Sequence, residues 1–196
     1  MTFDDGPGTV TPAILDVLAH HGARATFDLL GPRVAAEPGA TRRIARERHE
    51  IGVHGWDHRD LAGAPARALS GVARARAVIR AVTGIRPRVF RPPYGSTCRR
   101  LVLGARALGL VTVTWDVDPR DYEEPGAGAI RDRVGAAVRP GSVILLHDDR
   151  PGLAPTAEAL DGILDDLAAR GLAAVTVSEL LAGAPGPRRA YPSARP

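Results

Sequence analysis

The sequence has 196 residues, enough for one domain with a sizeable core. It is 44% hydrophobic and 24% charged, as in a soluble globular protein, and with only 4% aromatics the core must rest on Ala, Val, Leu and Ile. The net charge is +4 and every basic side chain other than His is Arg, but residues such as Arg42, Arg67, Arg106 and Arg131 are scattered, which argues against nucleic acid as a partner. Codon bias accounts for the Arg content; attraction to an acidic polymer such as a cell-wall glycan is the sharper alternative.

Taken in order, the chain alternates strand-like and helix-like segments. Residues 10–21 carry Ile14, Leu15, Val17 and Leu18 at helical spacing, with Thr11-Pro12 as a start signal and Gly22 as the stop. Residues 25–30 read as a buried strand, 41–50 as a charged helix and 50–53 as a brief strand running into His54. A long helix over 69–83 ends at Gly84, and Val89-Phe90 form a short strand into Arg91. A helix over 98–108 precedes a β-branched strand at 111–115, and a helix over 127–138 precedes an apolar strand at 142–146. The pattern closes with a helix over 155–170, a strand over 171–177 and a short helix capped by Ser178. Apolar strands alternating with helices imply a parallel sheet covered on its faces. About seven units are countable, slightly few for an eight-fold barrel. Residues 1–182 form the domain, and the Pro/Arg-rich stretch 183–196 reads as a disordered tail.

Cys98 is the only cysteine, so no internal disulfide can form. No apolar run reaches the roughly 18 residues of a membrane span, and the opening Met1-Thr2-Phe3-Asp4 is not a signal peptide. As written the product stays in the cytoplasm; a missing upstream segment would make it secreted or envelope-bound. Oligomeric state is not legible.

Polar clusters follow the short apolar runs: Asp4-Asp5, His54 with His58, Arg91 with Tyr94, Asp118 with Asp121, and His147-Asp148. In barrel-like α/β folds the carboxyl ends of parallel strands converge on one rim. His54 and His58, four apart, would share a face on a helical turn and could grip a divalent cation with a carboxylate from elsewhere. Zinc suits such a set, with a position left for water. Two surface histidines in a loop are the bland alternative. Asp4 and Asp5 are adjacent like charges, a pair favoured by a nearby cation, though an Asx-type turn would also explain them. Arg91-Pro92-Pro93-Tyr94-Gly95 is a rigid turn whose Arg could clasp a carboxylate or lie in solvent. Asp121 could orient His147 as a proton donor.

Together these residues resemble the polysaccharide deacetylases, the NodB-homology domain of carbohydrate esterase family 4. The likeness runs in order from Thr2-Phe3-Asp4-Asp5-Gly6-Pro7 through His54-Gly55-Trp56-Asp57-His58, Arg91-Pro92-Pro93-Tyr94-Gly95, Asp118-Pro119-Arg120-Asp121-Tyr122 and Leu145-Leu146-His147-Asp148 to Val175–Leu180. Ala25-Thr26-Phe27 and His49-Glu50-Ile51-Gly52 resemble family framework segments. The resemblance implies a distorted, incomplete (β/α) barrel and a divalent metal, zinc first and cobalt or another ion next. It implies removal of acetyl groups from N-acetylglucosamine-type glycans such as peptidoglycan or chitin. Asp5, His54 and His58 would hold the metal, and Asp4 would be the general base toward the attacking water. Tyr94 would offer its backbone N–H to the oxyanion, and His147 would protonate the leaving amine. Arg91 would tether Asp4, and Asp121 would tune His147. Tyr122, Leu145 and Pro93 would line the acetyl pocket.

Four positions depart from the family pattern. Gly55 stands where Ser or Thr is usual, Tyr122 where Trp is frequent, Asp28 for an apolar residue and Arg48 for Gly. Gly55 implies a looser metal loop. The family's first strand normally begins before the Thr2 position, so a truncated first strand is expected. O-acetyl ester cleavage on xylan-type polymers, deacylation of a small cytoplasmic N-acyl sugar conjugate, and an inactive glycan-binding module are the alternatives.

Overall fold

The computed structural model describes residues 1–183. Thirteen of the fourteen residues assigned to the Pro/Arg-rich tail, 184–196, lie outside the described residues. Six short strands form one parallel sheet: β1 (Thr2–Asp4), β2 (Thr26–Leu30), β3 (Glu50–Gly55), β4 (Val89–Phe90), β5 (Val111–Thr112) and β6 (Leu145–His147). Their spatial order is β5-β4-β3-β2-β1-β6. Beyond Thr112 the chain crosses to the far edge, where Val117 makes a single parallel bridge to Ile144. The sheet therefore curls toward a barrel without a continuous closing ladder. β1 is three residues long and sits inside the sheet, pairing with β2 on one side and β6 on the other.

The helices are α1 (Thr11–His20), α2 (Gly31–Ala36), α3 (Pro38–Arg46), α4 (Pro65–Thr83), α5 (Arg99–Ala107), α6 (Ala127–Ala137), α7 (Ala154–Ala169) and α8 (Val177–Ala182). Among the described residues, no helix is long and apolar enough to cross a membrane. Helix α4 stops at Gly84, whose φ of +75° is the left-handed conformation that glycine adopts without a Cβ penalty. Arg48 holds φ +64°, which accounts for glycine being usual at its position.

Sequence and structure differ at several elements. Pro32 enters at the start of α2, a helix the pattern did not announce. Val10, not Thr11, precedes α1; the Thr11 hydroxyl accepts from Gly8 N–H and donates to Asp148 instead. The strand expected over 111–115 ends at Thr112, because the chain then bends over Arg91, whose Nη2 donates to Thr114 O at 3.3 Å. No strand forms over 171–177. β1 is paired on both sides and Val117 O accepts from Leu145 N–H at the start of β6; this segment lies across the sheet's amino end, with Arg24 N–H donating to Ala174 O and Val177 N–H to Thr26 Oγ1. The cap of α8 is Thr176, not Ser178: Thr176 and Glu179 form a reciprocal capping box.

All three phenylalanines, Phe3, Phe27 and Phe90, are fully buried on successive parts of the sheet, and the Phe3 and Phe27 rings stack at 5.0 Å. Ile14, Leu15 and Leu18 from α1, Val72 and Ile79 from α4, and Leu160 and Ile163 from α7 seal the sheet. In so aromatic-poor a core each ring carries much of the buried area. Phe27→Ala is expected to lower the unfolding free energy by about 3–5 kcal/mol. Urea titration checks this, and a loss below about 1 kcal/mol would contradict the packing described.

Candidate active site

The carboxyl ends of β1, β3, β4 and β6 deliver Asp4 and Asp5, His54, Arg91 and His147 to one rim. Asp5 breaks from β1 at φ +73°, and its carboxylate and that of Asp4 both face His54 Nε2, at 3.3 Å and 3.9 Å. Gly6 follows where a Cβ would stand 2.3 Å from the Asp148 carboxylate. His54 is buried one residue before the end of β3, and His58 lies in the bend after it rather than on a helical turn. The turn between them contains Gly55 at φ +109°, so the residue standing in place of Ser or Thr suits the backbone there. Strand exit and bend bring the two imidazoles to 5.3 Å between ring centres.

Asp5, His54 and His58 form a group able to hold a metal ion, with ligand atoms within 4.8 Å of one another. Both Nε2 atoms stand 3.3 Å from Asp5 Oδ1, an atom that is buried and has no well-formed hydrogen bond. His54 Nδ1 faces Arg91 O at 2.8 Å, which fixes a proton on Nδ1 and leaves the Nε2 lone pair for a ligand. His58 Nδ1 faces the Tyr94 hydroxyl at 3.0 Å, and that hydroxyl lies 3.4 Å from His58 O, so the second imidazole is held the same way. Burial favours the neutral Asp5 carboxyl, but its contact with His54 and the charges of His54, His58 and His147 overcome this and lower it to about 2. Burial alone would lower His54; Asp4 and Asp5 override it and raise it. Two carboxylates and an orphaned oxygen thus draw positive charge to this point, and two neutral imidazoles with one carboxylate match the donor set of zinc.

Asp4 is 2% exposed. One of its oxygens accepts from Arg91 Nη1 at 2.8 Å, and the other lies 3.9 Å from His54 Nε2. The carboxylate is therefore anchored beside the cation position without belonging to the ligand group. His147 is gripped by Asp121: Nδ1 lies 2.8 Å from Oδ1, while Oδ2 accepts from His147 N–H and from the Thr156 hydroxyl. Burial would lower the imidazole, but Asp121, Asp4 and Asp5 raise it to about 9, so it is protonated at neutral pH.

A cavity of about 420 Å³ opens over this rim, lined by Asp4, His54, His58, Tyr94, Trp115, Asp118, Tyr122, Leu145 and His147. Of the residues expected to line it, Tyr94, Tyr122 and Leu145 do so. Pro93 does not; it is buried behind the exposed Tyr94, whose φ of +59° turns the chain outward. Trp115 was not anticipated. It covers Arg91 at 5.7 Å, and a Trp closing a β-branched run in a chain with two Trp was its signal. Asp118 also joins the wall, accepting from Arg120 N–H and the Tyr122 hydroxyl.

A ligand triad beside an anchored acid and an Asp-steered imidazolium has the parts of a metal-assisted hydrolase. A family model described as polysaccharide deacetylase matches residues 1–113. The peptidoglycan-N-acetylglucosamine deacetylase PgdA of Listeria monocytogenes is 35% identical over 182 residues, 92% of this chain but 38% of that protein. The chitooligosaccharide deacetylase of Bradyrhizobium sp. is 42% identical over 154 residues, 77% of this chain and 70% of that one. The structure of peptidoglycan deacetylase PdaC from Bacillus subtilis shares 36% identity and a TM-score of 0.84, covering 92% of this chain and 88% of that one. The chain belongs to the polysaccharide deacetylase family.

Asp121→Asn removes the charge that holds the proton on His147. The His147 imidazole, followed by NMR, should titrate well below the wild-type value of about 9 and toward 6.5. An unchanged titration would show that Asp121 does not tune it.

Proposed function

We propose that the chain is a divalent-cation-dependent deacetylase, with residues 1–182 as its catalytic domain. It hydrolyses the N-acetyl amide of N-acetylglucosamine-type polymers, peptidoglycan or chitin-like, and releases acetate. The observation that carries this reading is the meeting of Asp5, His54 and His58 around one point, with Asp4 anchored beside it. The names of the Listeria and Bradyrhizobium relatives support the substrate class.

When bound, the cation, zinc by its donor set, polarises the acetyl carbonyl and acidifies water. Asp4 takes a proton from the attacking water; Arg91 keeps its free oxygen turned to the cavity. His147 enters protonated, with Nδ1 committed to Asp121, and passes the Nε2 proton to the departing nitrogen as the amide C–N bond breaks. Acetate and a free amine result. The family resemblance assigns the Tyr94 backbone N–H to the carbonyl oxygen, and Tyr94 lines the cavity beside His58. Leu145 and Tyr122 supply the wall for the acetyl methyl, and Trp115 offers an aromatic face to a sugar ring.

Acetate release from N-acetylchitooligosaccharides tests this. A chelator should abolish it and added zinc or cobalt restore it. Asp4→Asn should keep the ion yet lose about 10²–10⁴ in rate, since it leaves the ligands in place. His58→Ala should lose the ion. Loss of the ion from Asp4→Asn, or full occupancy in His58→Ala, would overturn the division of roles.

A further inference from the structure

Arg91 serves more than Asp4. A second carboxylate, Asp28 on β2, lies beneath it in the barrel interior, in register with Asp4 on one side and Gly52 on the other. Its side chain is fully buried, and neither of its oxygens has a hydrogen-bond partner. Buried carboxylate oxygens without partners demand an explanation. Room for this carboxylate depends on Gly52, where a Cβ would stand 2.0 Å from Asp28 Oδ1.

The guanidinium nearby is fully committed on one side. Arg91 Nη1 lies 2.6 Å from Thr2 Oγ1, 2.8 Å from Asp4 Oδ1 and 3.6 Å from Asp28 Oδ2. Nη1 carries two hydrogens. Thr2 and Asp4 use both, so Nη1 can bond Asp28 only by releasing one of them. Arg91 Nε–H has no partner, so a charged Asp28 would pull on that edge of the guanidinium too.

We propose that Asp28 is a positioning residue that shares Arg91 with Asp4. As a neutral acid it leaves the guanidinium to Asp4; as a carboxylate it draws the guanidinium away and loosens the base. The charged or titratable groups facing it are Arg91, Asp4, His54 and Glu50. Burial, first, and then Asp4 and Glu50 favour its neutral form; Arg91 and His54 oppose them, and the balance raises Asp28 to about 7. This role rests on the reading of Asp4 as the base.

The test uses the metal-loaded full chain and two neutral variants, Asp28→Asn and Asp28→Leu. In wild type, kcat/KM for acetate release should begin to fall at a lower pH than in both variants, where the fall waits until His147 gives up its proton. Between those two pH values each variant should retain, relative to its own value on the acid side, a larger share of its activity than wild type, growing to about tenfold per pH unit. An alkaline fall unchanged in the variants overturns the proposal, whatever their absolute rates.

The second readout needs no activity. A carboxyl held neutral in the fold binds its proton more tightly there than when unfolded. Wild type should therefore lose stability relative to the variants as pH rises from 3.8 to about 7, and no further above it. Asp148, also raised to about 7, is present in all three proteins and cancels. If no protein releases acetate, the functional reading fails while this difference still reports on Asp28. Parallel stability curves overturn the proposal; so does an Asp28 carboxyl ¹³C resonance in wild type already at its ionised position at about pH 5.

Discussion

One fully buried guanidinium organises the rim. Arg91 reaches it at the end of β4, and its two ends do different things. Its backbone carbonyl takes the Nδ1 proton of His54 and thereby aims Nε2 outward. Its side chain holds Asp4 in place and ties it to Thr2 at the start of β1. A candidate ligand and the adjacent acid are thus set by one residue, just past a strand that pairs with β3 next to His54. A charge buried so deeply is tolerable only when paired and hydrogen-bonded, and here the partners come from β1 and from the chain segment past β5.

The electrostatics of the rim follow from that arrangement. Two acids, Asp4 and Asp28, share one Arg, while Asp5 faces His54 and His58, so the remaining demand for positive charge falls on the imidazoles. His54 and His147 are both pushed toward the protonated form by Asp4 and Asp5, and His147 first of all by Asp121. For His54, whose Nε2 meets Asp5, a cation satisfies the same demand. For His147, whose Nδ1 is held by Asp121, the outcome is a proton available for transfer. One excess of negative charge thereby acts on both rings, and the acid that each meets, Asp5 for His54 and Asp121 for His147, sets them apart.

Much of this was legible in the sequence because the polar residues stop the short apolar runs. The motifs around Asp4, His54, Arg91 and His147 gave the family and the rim together. What stayed hidden depended on tertiary pairing. The segment 171–177 has strand composition, but its backbone bonds go across the sheet's amino end, to Arg24 and Met1, rather than along a strand. His58 was read on a helical turn since spacing alone cannot tell a turn of helix from a bend after a strand. The motif around Pro93 points to a lining role for it, whereas the left-handed turn at Tyr94 leaves Pro93 buried and the Tyr94 side chain at the cavity. Asp28 was visible as a departure but not as a neighbour of Arg91, a relation set by the register of β1 against β2.

The central claim is spatial, that one divalent ion is held by Asp5, His54 and His58 while Asp4 stays outside its ligand shell. Anomalous diffraction from crystals grown with zinc tests it most directly. The account predicts one strong peak in the cavity at about 2.0–2.2 Å from Asp5 Oδ1 and from Nε2 of both histidines, with both Asp4 oxygens beyond that range. A peak ligated by Asp4 in place of Asp5, or no peak at this rim in a crystal that binds zinc elsewhere, would contradict it.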